Sequence, residues 1–271
     1  MQMWLPHRAK KAFVRAFLAA LFLWCAGAAY ARASATSVIA VASDLQFAIV
    51  DVAEAFRKKT GSAVRLSFGS SGNFARQLRQ GAPFELFLSA DEAYIDDLAR
   101  DGVMRDPGRI YAIGRLALFV PKGSPLVSDG TLDDLAAALS DGRLKKFAMA
   151  NPEHAPYGRR AEEALRHRGV WDAISSRLVL GENVSQAAQF ATSGNVQAAI
   201  ISYAHVLSPK IATLGSFALI PETWHRPIRQ RMALTKTAGP VAEAFYTFAQ
   251  TPAARAIFRA HGFALPDEAT Q

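Results

Sequence analysis

The amino-acid sequence predicts an α/β fold with mainly parallel sheets, and two observations carry that prediction. Short apolar runs alternate with amphipathic stretches along most of the chain, the pattern of repeated strand–helix units. Several of the apolar runs also end in small or hydroxylic residues just before a helical pattern starts, as at the ligand-binding edge of an open α/β sheet. The strand-like runs are residues 38–42, 64–68, 84–89, 116–120, 147–150, 178–180, 198–202 and 217–220. In the first helical stretch Leu45, Ile49, Val52 and Phe56 recur at helical spacing, and Gly61 closes it. Further helical patterns lie near 73–80, 94–101, 132–139, 158–168, 184–192 and 241–261. With no internal repeat or low-complexity linker, the pattern by itself leaves open one large sheet or two smaller lobes.

The N-terminus speaks to compartment. Residues 1–15 carry Arg8, Lys10, Lys11 and Arg15 with no acid, an apolar run follows from Ala16 to Tyr30, and Ala31-Arg32-Ala33-Ser34-Ala35 supplies small residues. A basic head, an apolar middle and an A-x-A end make a secretory signal peptide. Residues 1–33 are therefore expected to be a signal, cut after Ala33 or Ala35, and the product to be periplasmic. A membrane span needs about twenty apolar residues, more than this run offers. Cys25, the one cysteine, lies inside the run behind Trp24 rather than a small residue, so it is expected to leave with the signal. The remainder, about 235 residues, is long enough to bury its own core without disulfides.

Removing the signal also changes the charge. The full chain stands at +8, from 31 basic and 23 acidic residues, and residues 1–33 hold five of the basic ones and no acid. The balance left is 26 − 23, or +3. No basic stripe interleaved with aromatics is present, which argues against nucleic acid as a partner.

Four strand-to-helix junctions stand out. Residues 38–42 run into Ser43-Asp44, and residues 64–68 into Gly69-Ser70-Ser71-Gly72-Asn73. Residues 147–150 run into Asn151-Pro152-Glu153-His154-Ala155-Pro156-Tyr157-Gly158, and residues 178–180 into Gly181-Glu182-Asn183 before Val184. Helix N-termini carry partial positive charge and free N–H donors, so they hold anions without lysine or arginine. Ordinary N-capping explains any one such junction. The Gly-Ser-Ser-Gly run is harder to explain as a cap, because flanking glycines point to close approach of something to the backbone. No lysine follows it, so it is not a nucleotide phosphate loop.

In these stretches, and in Gly81-Ala82-Pro83-Phe84-Glu85-Leu86-Phe87-Leu88-Ser89-Ala90-Asp91, the chain resembles the periplasmic molybdate-binding proteins that serve ABC importers. The resemblance runs from about Val38 to Phe263. It implies two α/β lobes joined by two chain crossings, near 110–118 and 222–233, with an oxyanion enclosed between them. Lobe one is then expected at 36–115 plus 225–271, and lobe two at 116–224. The implied ligand is molybdate or tungstate, the implied partner is a membrane permease, and the protein is expected to be a monomer without a cofactor. The family's ligand positions fall on Ser43 and Ser71, through hydroxyl and backbone N–H, and on Tyr157 and Val184, through backbone N–H alone. In some relatives an asparagine after the first position contributes, and here that place is Asp44. Its carboxylate is expected to turn outward, because acids are common in the first turn of a helix. Relatives that use a tyrosine from a later strand align it with Ser202, one place before Tyr203.

Other functions fit less well. No Gly-x-Ser-x-Gly elbow is present, and the six histidines, His7, His154, His167, His205, His225 and His261, form no metal-binding spacing. His154 reads as a surface loop residue, and the pairs Asp96-Asp97, Asp133-Asp134 and Glu162-Glu163 as solvated faces, so no catalytic residue is assigned. A receptor for an organic acid wants an arginine clamp, and only Arg159 and Arg160, inside a helix, lie near the junctions. Sulfate, phosphate and chromate are the remaining alternatives. The signal peptide and the lack of a helix-turn-helix argue against a cytoplasmic sensor.

Overall fold

The computed structural model describes residues 36–267. The signal peptide, its cleavage site and Cys25 lie outside the described residues. The described residues form ten strands: β1 (Ser37–Ala42), β2 (Val64–Gly69), β3 (Leu86–Ser89), β4 (Arg109–Gly114), β5 (Leu116–Pro121), β6 (Phe147–Ala150), β7 (Leu178–Gly181), β8 (Ala198–Ser202), β9 (Gly215–Leu219) and β10 (Ile228–Leu234). The helices are α1 (Ala48–Thr60), α2 (Ser71–Arg79), α3 (Glu92–Arg100), α4 (Asp133–Asp141), α5 (Pro156–His167), α6 (Trp171–Ile174), α7 (Val184–Thr192), α8 (Tyr203–Leu207), α9 (Pro209–Ala212), α10 (Pro240–Phe248) and α11 (Pro252–Ala260).

The strands form two five-stranded sheets built on one plan. The first has the order β2-β1-β3-β10-β4 and the second β7-β6-β8-β5-β9. In the first, β1 pairs parallel with β2 and β3, while β10 runs antiparallel to β3 and β4. In the second, β6 pairs parallel with β7 and β8, while β5 runs antiparallel to β8 and β9. Each sheet thus borrows one antiparallel strand from beyond a crossing. The chain passes from the first sheet to the second between Gly114 and Leu116, and returns between Leu219 and Ile228. This is the two-lobed fold with two crossings.

Each sheet has its own apolar packing. Phe56, Phe245 and Phe258 are fully buried over the first, and Phe119 and Phe147 over the second. Burying a side chain of this size contributes about 1.5–3 kcal/mol, so each half carries a core of its own. The first helix ends where expected, with Gly61 in the left-handed conformation (φ 75°). The helical pattern at 241–261 is two helices instead of one. Pro252 lacks an N–H and holds Thr251 extended (ψ 155°), and the Thr251 side chain then caps α11 by accepting from the Ala254 N–H.

The two halves touch where small residues permit it. The Gly72 N–H donates to the His154 carbonyl at 3.0 Å. A Cβ at Gly72 would lie 2.6 Å from that oxygen and 2.6 Å from the Tyr94 hydroxyl. At the first crossing a Cβ on Gly114 would lie 2.2 Å from the Tyr157 hydroxyl. Gly72→Ala is expected to keep its secondary structure but to hold the halves apart, losing about 1–3 kcal/mol as overpacking does. Small-angle scattering checks this: the radius of gyration should exceed that of the parent, and an equal radius would mean that the contact yields without opening.

Candidate functional site

The parallel strands of both sheets end facing one another, and their ends line one small cavity of about 10 Å³, room for about one water. Ala42, Ser43 and Asp44 reach it from the end of β1, Gly69, Ser70 and Ser71 from β2, and Ala90 from β3. From the second sheet come Ala155, Pro156 and Tyr157 at the start of α5, and Asn183 and Val184 at the start of α7. The four positions singled out from the sequence, Ser43, Ser71, Tyr157 and Val184, are therefore all brought to this cavity. None of its lining residues is a lysine, arginine or histidine.

Capping decides which amides are available. Ser70 caps α2 by accepting from the Asn73 N–H, and Asn183 caps α7 by accepting from the Gln186 N–H at 3.1 Å. Ser71 and Val184 thereby become the first residues of their helices, and Tyr157 follows Pro156 at the start of α5. Amides in a first turn have no acceptor within the helix, and three such turns meet here. Both serine oxygens already accept a backbone N–H, Ser71 from Ala90 at 3.0 Å and Ser43 from Ser185 at 3.5 Å. Each hydroxyl proton is left to be given elsewhere. The arrangement suits a compact anion that accepts hydrogen bonds on all sides.

Ser43 departs from the expected pattern, because a 3₁₀ turn over Ser43–Leu45 follows β1 and α1 begins only at Ala48. This turn corrects the reading of Asp44. Its side chain faces inward: Asp44 is 1% exposed and lines the cavity. Oδ2 accepts from the Gln230 side-chain amide, and Oδ1 has no hydrogen-bond partner among the described residues. Burial pushes this carboxyl up from 3.8 to about 6, against the opposing pull of Gln230, then of Tyr157. Burial also raises the Tyr157 hydroxyl well above its ordinary value, and the Asp44 charge adds to the effect. Tyr157 therefore brings a buried side chain to the site as well as an amide.

Ser202 and Tyr203 do not line the cavity. Ser202 is buried with its Oγ 2.6 Å from His205 Nδ1, and the Tyr203 ring packs 4.5 Å from the Arg115 guanidinium. Sequence reasoning missed what His205 does. Its Nε2 lies 2.9 Å from Ser185 Oγ, which in turn lies 3.0 Å from the Ser43 carbonyl and 3.0 Å from Gln46 Oε1. Ser185 has one proton to give these acceptors, and that count assigns the donor to Nε2 of a neutral ring. His154 is also not a free surface residue: its Nδ1 lies 3.0 Å from Ser70 Oγ, joining the two halves. Arg160 is held by Asp91 at 3.1 Å and Glu163 at 2.7 Å, so it is no clamp for a ligand. Among the described residues no cluster of three or more histidines, cysteines or acids is placed to hold a metal ion.

Asp44 and His205 act on stability in opposite directions. Between about pH 4 and 6 the folded protein keeps a proton on Asp44 that the unfolded chain has released. This group therefore costs stability as pH rises through that window, by about 3 kcal/mol beyond it. Burial lowers His205 from 6.5 to about 3, so stability falls as pH drops below 6.5 and the unfolded chain takes up a proton. Asp44→Asn removes only the first effect. Urea unfolding should show the variant more stable above pH 6, by up to about 3 kcal/mol, with a steeper loss between pH 6 and 4 than in the parent.

Comparison with known proteins agrees with the geometry. The family model for bacterial extracellular solute-binding proteins matches residues 38–264. The molybdate-binding protein ModA of Azotobacter vinelandii is 35% identical over 240 residues, which cover 88% of this chain and 93% of that protein. ModA of Rhodobacter capsulatus is 34% identical over 241 residues, 88% of this chain and 91% of that protein. The solved structure of the Azotobacter vinelandii periplasmic molybdate-binding protein superposes with a TM-score of 0.75 at 30% identity, covering 85% of this chain and 99% of that one. Fold, cavity and sequence agree: the chain belongs to the bacterial extracellular solute-binding proteins, in the family of the molybdate-binding ModA proteins.

Proposed function

We propose that the protein captures molybdate, or tungstate, between its two lobes outside the cytoplasm and delivers it to the membrane permease of an ABC importer. The observation that carries this reading is the convergence of three helix starts and two serine hydroxyls, from both sheets, on one small cavity without cationic side chains. The ligand class is supported by the relatives, which are named for molybdate. A further relative from Bacillus subtilis, 28% identical over 261 residues, is described as a putative ABC transporter substrate-binding lipoprotein, which supports a permease as partner. Ser43 and Ser71 donate to the oxyanion through hydroxyl and N–H, and Tyr157 and Val184 through N–H. The lobes are residues 36–115 plus 225–271 and residues 116–224, moving about the two crossings. The protein binds as a monomer, without a cofactor, and does no chemistry on its ligand.

Export belongs to the same reading. The signal peptide at residues 1–33 is removed after Ala33 or Ala35, and no helix among the described residues is long and apolar enough to cross a membrane. Mass spectrometry of the exported protein should find an N-terminus at Ser34 or Thr36, and an intact Met1 outside the cytoplasm would refute processing.

Calorimetric titration with molybdate, tungstate, sulfate, phosphate and chromate tests the ligand. Molybdate and tungstate should bind tightest. Hydrogen bonds to a charged group contribute about 1.5–3 kcal/mol, so Ser43→Ala and Ser71→Ala should each weaken molybdate binding about tenfold to a hundredfold. If both variants bind like the parent, the site lies elsewhere.

A further inference from the structure

The buried carboxyl of Asp44 is out of place in a site for a dianion. It lines the cavity at 1% exposure, and Oδ1 has no hydrogen-bond partner among the described residues. Three groups face it. Gln230, from β10, donates its amide to Oδ2. Tyr157, from α5, accepts from the same amide at 3.5 Å and turns its own hydroxyl toward the carboxyl. Tyr111, from β4, donates to Gln230 Oε1 at 2.9 Å and feels the Asp44 charge. Both tyrosines are held well above their ordinary range and stay protonated. His205, behind Ser43 through Ser185, is neutral. No cation is among the groups that act on the carboxyl. Only the Gln230 amide and the Tyr157 hydroxyl stabilise an ionised Asp44, and no cation offsets its repulsion of a bound dianion. A neutral one offers an O–H donor in its place.

We infer that Asp44 binds the oxyanion together with one proton, as a specificity-determining residue whose neutral carboxyl donates from Oδ1 to an oxygen of the anion. The inference rests on the oxyanion reading above. The balance is simple: carboxylate, one proton and a dianion give a complex of carboxylic acid and dianion. No bond other than O–H is made or broken. Carboxylate and a monoprotonated anion give a complex of the same composition, so an anion that carries its own proton at neutral pH supplies it directly. Molybdate, a dianion there, takes the proton from solvent. Burial already favours the neutral form, and a neighbouring anion favours it further.

The test is calorimetry of the processed protein with sodium molybdate at pH 8, in buffers of different ionisation heat, which counts the protons taken up. Wild type should take up close to one proton per molybdate, and its dissociation constant should rise about tenfold per pH unit between pH 7 and 9. Asp44→Asn, which keeps a donor without the titration, should take up none, show a flat pH profile and bind molybdate more tightly than wild type at pH 9. Asp44→Ser serves as the second variant if the asparagine protein does not fold, with the same loss of proton uptake. Molybdate binding by wild type without proton uptake, or with equal pH slopes in wild type and variant, overturns the inference and leaves the molybdate reading intact. Failure of molybdate to bind either protein, with binding of another anion in the same titrations, overturns the molybdate reading. The proton count measured with that other anion then decides the role of Asp44.

Discussion

A cavity between two lobes that is lined without lysine or arginine can hold negative charge only through uncharged donors, above all backbone amides and hydroxyls. Most of the fold follows from that constraint. Amides are free in number only in the first turn of a helix, so helices have to begin at the cavity wall. Helices begin at the wall only if the parallel strands that precede them end there. β1 and β2 in one sheet, and β6 and β7 in the other, are the strands that do so. Capping then has to come from a residue one place earlier, so that the cap does not consume the donor. Ser70 and Asn183 stand at that place, ahead of Ser71 and Val184.

Donors from two lobes act on one anion only while the lobes stay together, and polar contacts between the halves surround the cavity. On one side Ser185 reaches from α7 to the Ser43 carbonyl and to Gln46, with a buried neutral His205 behind it. On another, the start of α2 meets His154 through Ser70 and the Gly72 amide, and Asn73 meets Glu182. Asp91 and Arg160 pair across the halves at 3.1 Å, both largely buried. Such contacts are directional and largely polar, unlike the apolar packing around each sheet. A polar interface of this kind separates at lower cost than a hydrophobic one.

Local signals made much of this legible in the sequence. The alternation of strands and helices, the Gly-Ser-Ser-Gly run and the Asn before Val184 are each written in a few consecutive residues. They marked the junctions, and the resemblance to the molybdate-binding family placed on them four positions that share one cavity. The failures are non-local or depend on a single turn. Asp44 was expected to face outward because an acid suits the first turn of an α-helix. The chain makes a 3₁₀ turn there, α1 starts later, and the carboxyl swings inward. Gln230, its partner, lies 186 residues away in sequence, and no local pattern joins the two. A signal existed all the same: Ile228, Gln230 and Met232 are the buried face of β10, and a glutamine between two apolar residues on that face needs a partner. His205 carried a similar sign in Ser202, three residues earlier and its N-cap. The break before α11 was also legible, in Pro252.

The polar cluster at Asp44 ties the charge of the cavity to the strands that carry the chain between lobes. Tyr111 has one hydroxyl proton and donates it to Gln230 Oε1. That bond fixes which end of the Gln230 amide faces which way, and turns Nε2 toward Asp44 Oδ2. One carboxylate oxygen is thus committed as an acceptor to Gln230, and Oδ1 is buried without such a partner among the described residues. Tyr111 lies on β4 and Gln230 on β10. These are the last strand before the first crossing and the first strand after the second. Tyr157 enters from the opposite lobe through the space that Gly114, the last residue of β4, leaves open. Hydrogen bonds therefore run from the carboxyl to both crossing strands, and the Tyr157 hydroxyl from the far lobe joins them at Gln230. Buried networks of this kind are costly unless each member is satisfied. The one member left unsatisfied is Asp44 Oδ1, on a residue that lines the cavity between the lobes.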